Sequence, residues 1–409
     1  RNSTRLFIQR GALVLLGLLL AVLWTTQEMS CERDAPIQIN EQHSFPVSSC
    51  DCYSESYTEA RNKFRNAVSN HKNATLYTFQ VVNDYTMDIA VVSGTLPGTV
   101  IHTSGYHGVE GFAGSAIQIA WLLRQRQQDI PTVVLVHAVN PFGFATWRRT
   151  NENNVDLNRN GLHPNEWPKA HARDFNTGNY KDFDEILLNP RRAPTRWDLY
   201  FNIYLVAAVS IFKHGLVTLK RAMVTGQYHY DKGIFYGGRE LQPSLQILDN
   251  FFKEYVPQNE TATMINVHTG LGPSGQDTIL TAGNSAISPQ ELSTVFQGSN
   301  IPSLTRSASH VSGGYDLVTG TAEDFFSRRF HKQQDWIITQ EFGTVSSVSV
   351  GISLVLENMA RHFLPEEEAM KWTYLLKRAF YKQTSKWRQS VLVRGLRVMQ
   401  QAIDRTACV

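Results

Sequence analysis

The chain has 409 residues, 42% of them hydrophobic and 18% charged, which supplies the material of a large apolar core and excludes a disordered chain. Its 39 basic and 36 acidic residues are dispersed and leave a formal net charge of only +3, which excludes nucleic acid as the expected partner. Large α/β enzymes often run past the usual domain size as single units, so one catalytic domain with additions at its ends is expected.

In chain order, Arg1, Arg5 and Arg10 precede an unbroken apolar run from Gly11 to Trp24, the order of charge and hydrophobicity in a secretory signal or signal anchor. Residues 1–30 are read in this way. The run falls short of the roughly 20 residues that cross a bilayer, yet no small-x-small cleavage site follows it, so a cleaved signal and a retained membrane anchor both stay open. The secretory pathway is the expected destination, with the catalytic domain lumenal or extracellular. Cys31, Cys50, Cys52 and Cys408 fit an oxidising compartment and read as disulfide formers, with three connectivities allowed. Asn73 and Asn259 open glycosylation sequons.

Residues 31–57 read as a polar linker, 58–372 as the catalytic domain and 373–409 as a C-terminal helix. From about Thr75, strand-like runs alternate with helix-like patterns, the order of an α/β sheet with helices on its faces. TLYTFQVV and MDIAVVS read as a strand pair, TVIHTSGYH as a strand running into Gly105, Glu110 to Arg126 as an amphipathic helix and PTVVLVHAVN as a buried strand stopped by Pro141. Residues 161–226 lack strand signals and read as a helical insertion. Within it, LYFNIYLVAAVSIF (199–212) reads as a buried or packed helix rather than a second membrane span. Strand patterns resume in TATMINVHTG, DTILTAG and WIITQEFGT, with the helical SPQELSTVFQG between them, and Trp372 to Arg405 reads as one long helix.

A zinc hydrolase needs three nitrogen or oxygen ligands and one open position for water. His107-Gly-Val-Glu110 offers two such groups, with the histidine at a strand end and the glutamate in the first helical turn. An isolated HxxE means little, because 13 histidines among 36 acidic residues in a chain of this length give about one such pair by chance. The rivals His163/Glu166 and His171/Asp174 lie in irregular polar sequence, whereas His107 closes a buried strand at a glycine turn, where α/β proteins place ligands. Downstream, TWRRTNENNVDLNRN packs three arginines into a loop after a strand, suited to anions and developing oxyanions. INVHTG ends a strand at His268, and WIITQEFGT ends another near Glu341.

With HGVE, WRRT followed by VDLNRN, INVH and TQEFG in this order, the stretch from Tyr77 to Leu364 resembles the zinc carboxypeptidase family, the carboxypeptidase A-like metallopeptidases. SGYHGVEGFAGS, NPFGFATWRRTNENNVDLNRNG and GQYHYDKGIFYGG look like a branch of it catalogued as a domain of unknown function. The resemblance implies a single α/β domain with a mixed, mostly parallel central sheet flanked by helices. It also implies one zinc per chain on His107, Glu110 and His268, Arg148 polarising the scissile carbonyl, Asn158 and Arg159 gripping a free substrate carboxylate, and Glu341 as general base. The implied reaction is cleavage of a peptide or amide bond next to a free carboxylate; an N-acyl amino acid amidohydrolase on the same fold and a membrane-linked binding protein without turnover are the alternatives. Two features depart from the family. The spacing from Glu110 to His268 is long, and GTAEDFFSRRF offers no substrate-capping tyrosine, for which Tyr315 is a loose substitute.

Overall fold

Apolar runs without alternation need cover on both faces of a sheet, and in the computed structural model four strand-like runs become its centre. The structure describes residues 37–40, 43–45, 48–124, 129–183, 187–281, 285–302 and 318–409. The expected signal or anchor at 1–30, Cys31 and Tyr315 lie outside the described residues.

A short antiparallel pair, β1 (Ile37–Asn40) and β2 (His43–Phe45), and a one-turn helix at Ser49–Cys52 stand where the sequence reads as polar linker. The main sheet is built from β3 (Ala74–Val82), β4 (Tyr85–Val92), β5 (Leu96–Ser104), β6 (Pro131–His137), β7 (Ala262–Ser274), β8 (Asp277–Leu280) and β9 (Trp336–Gly343). Its seven strands run in the order β3-β4-β6-β5-β7-β9-β8. The central β6, β5, β7 and β9 are parallel, and β3, β4 and β8 pair antiparallel at the flanks. All four parallel strands therefore deliver their carboxyl ends to one edge, where open α/β sheets bind ligands.

Helices cover both faces: α1 (Tyr57–Ser69), α2 (Gly111–Leu123), α3 (Ile203–His214), α4 (Leu216–Val224), α5 (Ala322–Ser327), α6 (Ser347–Phe363), α7 (Glu366–Phe380) and α8 (Ser385–Ala407) are the ones used below. The helix expected to be amphipathic from Glu110 begins instead at Gly111, and every residue to Leu122 is buried, because α1 and α8 pack over it. Its polar members bond to the strands beneath. Ser115 Oγ lies 3.0 Å from His137 Nε2, and Gln118 Nε2 donates to the carbonyls of His102 and Val136 at 3.0 Å each. Phe112 packs between Phe144 and Tyr381, ring centroids 4.6 and 4.5 Å away, so Phe112→Ala would cost about 3–5 kcal/mol.

Two expectations are corrected here. The single helix read from Trp372 to Arg405 is two: α7 stops at Phe380, and the Thr384 side chain accepts from Trp387 N–H to start α8, satisfying one of the donors a helix start leaves open. Of the four cysteines, Cys52 and Cys408 are free; burial pushes the Cys52 thiol up to about 12. The 199–212 run forms a π turn at Asp198–Asn202 continued by α3, a helix packed on the domain as expected, although among the α3 side chains only Ile203 is buried. The run is apolar on both faces, and the domain supplies a core to one of them.

Candidate metal centre

The HGVE turn is fixed by backbone contacts before any side chain is considered. Gly105 adopts a left-handed φ of 71° where β5 turns out of the sheet. A Cβ on Gly108 would lie 2.0 Å from the Gly143 carbonyl carbon, so only glycine lets this turn rest on the NPFGF helix. Val109 N–H and Gly108 N–H donate to the carbonyls of Arg148 and Arg149 at 2.8 and 3.3 Å, which ties the turn to the arginine loop.

His107, Glu110 and His268 are all buried, and one ligand atom from each can be chosen so that all lie within 4.8 Å of one another. His107 Nδ1 and His268 Nδ1 are 3.0 Å apart, and the Glu110 carboxylate reaches each of them at 2.9 Å. His107 Nε2 is taken by Asp156 Oδ1 at 3.0 Å, which leaves the Nδ1 lone pair facing the cluster. Two acceptor nitrogens and a carboxylate converging on one point are satisfied together by a cation. Zn–N bonds of about 2.1 Å in tetrahedral array put ligand nitrogens about 3.4 Å apart, so the donor set fits zinc.

Burial opposes ionisation of Glu110, but the charges and bonds of His107 and His268 overrule it and hold this carboxyl well below the usual carboxylate range. Thr269 N–H adds a bond to Glu110 Oε2 at 2.9 Å. Asp156 is likewise fully buried and yet held low by Arg149 and His107. Neither Asp156 nor Arg149 was singled out by the sequence reading, although both lie in the arginine loop.

The two adjacent arginines diverge. Arg148 Nε donates to Glu357 Oε1 at 2.8 Å and its Nη2 to Asn154 Oδ1 at 2.9 Å, a buried pairing with helix α6. Arg149 Nε donates to Asp156 Oδ2 at 2.9 Å and its Nη1 to Glu110 Oε1 at 3.3 Å. The guanidinium beside Glu110 is therefore that of Arg149, not the expected Arg148. The left-handed backbone of Trp147, φ 55°, sits immediately before this divergence.

Glu341 stands opposite His268 in the parallel register of β9 and β7. Its Oε1 accepts from Leu271 N–H at 2.9 Å, and burial, then the Glu110 charge, raise its carboxyl to about 7. Asn158 uses its side-chain oxygen to hold Ala322 N–H at 2.8 Å. Arg159 donates from Nε and Nη2 to the Val224 carbonyl at 3.1 and 2.7 Å, so the end of the helical insertion seats on this guanidinium. Arg149 and Arg159 lie 4.6 and 5.5 Å from the centroid of one ring, Phe235, which brings both cations to one wall of the site. The rival motifs serve structure: Glu166 accepts from the His163 backbone and pairs with Arg328, and Asp174 accepts from Asn176 N–H.

The chain matches the family described as Protein of unknown function (DUF2817) over residues 53–394 and belongs to it. No curated protein matches. Among solved structures, it is similar to bovine thrombin-activatable fibrinolysis inhibitor in complex with tick carboxypeptidase inhibitor, at 13% identity and a TM-score of 0.46, covering 87% of this chain and 99% of that one. It is also similar to a metallo-carboxypeptidase from Pseudomonas aeruginosa, at 13% identity and a TM-score of 0.41, covering 86% and 70%. A third is the murein-tripeptide amidase of Escherichia coli O157, at 16% identity and a TM-score of 0.35, covering 73% and 94%. At such low identity and TM-score, no activity passes from them to this chain.

Proposed function

For this member of the DUF2817 family, we propose a zinc-dependent hydrolase that cuts a peptide or acyl-amino-acid amide bond next to a free carboxylate. One observation carries the reading: His107, Glu110 and His268 present ligand atoms within 4.8 Å of one another, with Asp156 orienting the first. A cation on these ligands supplies Lewis acidity, acidifying water and polarising a carbonyl oxygen. Glu341 takes the proton of the attacking water and hands it to the leaving nitrogen. Arg149, fixed by Asp156, faces the oxygen on which negative charge develops. Asn158 and Arg159 hold the substrate carboxylate.

A second reading rests on the crowding around Arg159. A Cβ on Gly226 would approach its Cδ to 2.7 Å, and the Phe235 ring lies against the guanidinium. Close packing around the guanidinium suits a short N-acyl amino acid as well as a peptide end.

The test is elemental analysis of the purified full chain combined with a panel of C-terminally free and blocked peptides and N-acyl amino acids. About one zinc per chain is expected, lost on His107→Ala or His268→Ala and kept on His163→Ala. Full zinc in the first two variants rejects the site. Equal turnover of blocked and free substrates rejects carboxylate recognition, and turnover of N-acyl amino acids alone selects the second reading.

A further inference from the structure

The helical insertion carries an apolar face that neither the fold nor the proposed hydrolysis uses. Leu199, Ile203, Tyr204, Val206 and Ile211 pack inward on one of the hydrophobic clusters. On the other side Trp197, Phe201, Leu205, Val209 and Phe212 follow at steps of three and four residues along one helical run, and Leu216 follows just past the bend at Gly215. All six are exposed, Trp197 and Phe212 to 72% each. A contiguous apolar stripe of this kind marks an interaction surface.

Charge indicates the occupant. Residues 190–224 contain six basic residues, Arg191, Arg192, Arg196, Lys213, Lys220 and Arg221, against one acid, Asp198, which is buried and bonded to Arg192. This segment thus has five net positive charges in a chain whose total is +3, and the rest of the chain is left at minus two. Cations at both ends of an aromatic and aliphatic stripe are the composition of a helix lying in a lipid interface, complementary to anionic headgroups. No single described helix is long and apolar enough to cross a membrane. Asp198–His214 rises roughly 25 Å, short of a roughly 30 Å hydrocarbon core, and the chain then bends by 108° into α4.

We propose that the Trp197–Leu216 face docks the protein on an anionic lipid surface, the apolar stripe at the headgroup–acyl boundary and the basic residues among the headgroups. The same insertion ends at Val224, whose carbonyl holds Arg159, so the docked element adjoins the wall of the site. The inference stands apart from the proposed hydrolysis, since neither the stripe nor its cations touch the metal ligands.

The experiment uses the full chain in a Cys408→Ser background, with an environment-sensitive fluorophore on Phe212→Cys or, as control, on Ser293→Cys, an exposed position of the helix Pro289–Val295. Each is titrated with phosphatidylcholine vesicles with and without phosphatidylserine. A blue shift is expected at position 212 only, and only with the anionic vesicles. Combining Phe201→Ser, Leu205→Ser and Val209→Ser should raise the half-saturating lipid concentration by about tenfold or more at unchanged melting temperature. Gly11–Trp24 is common to all forms, and tethering through it leaves the two labels alike. A label at 212 that stays wet, or responds equally to neutral vesicles, overturns the proposal. A blue shift without lipid that grows with protein concentration assigns the face to a second copy and overturns it as well.

Discussion

Nε2 of His107 lies 3.0 Å from Oδ1 of Asp156, a buried contact that selects the tautomer presenting Nδ1 to Glu110 and His268. Partners of this kind hold the ring in place and raise its basicity, and losing one typically costs 10- to 100-fold in metal affinity. Asp156→Asn should therefore weaken zinc binding by about that factor while the chain stays folded, as read by chelator competition. An unchanged affinity would show that His107 is held by its backbone alone.

Arg148 and Arg149 should fail in different ways. Arg149→Met removes the guanidinium beside Glu110, so kcat on a confirmed substrate should fall by about a hundredfold or more. Arg148→Met leaves Glu357 buried without its cation, and unfolding should become easier by about 3–5 kcal/mol with zinc content preserved. If Arg148→Met instead lowers kcat at full stability and Arg149→Met does neither, the sequence-based choice was right and the geometry misleads.

That choice also shows what a sequence can carry. His107, His268 and Glu341 were legible because each closes or follows an apolar run long enough to be a central strand, and parallel strands bring such ends together. The fate of two neighbouring arginines was not, because it is set by Glu357, 209 residues further on, and by Asp156. Asp156 itself sits among polar residues in VDLNRN, where nothing local distinguishes a carboxylate that will be buried. Likewise 199–212 is apolar on every side, so its composition cannot say which face the domain will cover. At the break between α7 and α8, Tyr381 stacks on Phe112 from a remote part of the chain, a contact that no local pattern announces.

Burial lowers His102 to about 3 and His137 to about 4. Both imidazoles are neutral in the folded protein, while in the unfolded chain they take up a proton near pH 6.5. Their contribution is thus complete above about pH 6.5 and declines as pH falls toward the folded value, at about 1.4 kcal/mol per pH unit and per group. His137→Gln keeps an acceptor for Ser115 and removes one titration, so the difference between wild-type and variant unfolding free energies should slope with pH from about 6.5 down to about 4. A flat difference across that window contradicts a neutral, buried His137.

Glu341 decides the mechanism. It lies near the end of β9 beside His268, its Oε1 is fixed by Leu271 N–H, and burial with the Glu110 charge keeps its carboxyl near 7, the range of a general base. Glu341→Gln retains the size and the acceptor for Leu271 while removing the base. The variant should fold, keep its zinc and bind substrate with little change, while kcat falls by at least about a hundredfold, the usual span for a lost acid–base group. Loss of zinc in this variant makes Glu341 a ligand and displaces Glu110 from that role. Near-normal kcat with zinc in place leaves Glu341 as a strand-end carboxylate whose task is to hold the Leu271 turn, and the water must then be activated from elsewhere.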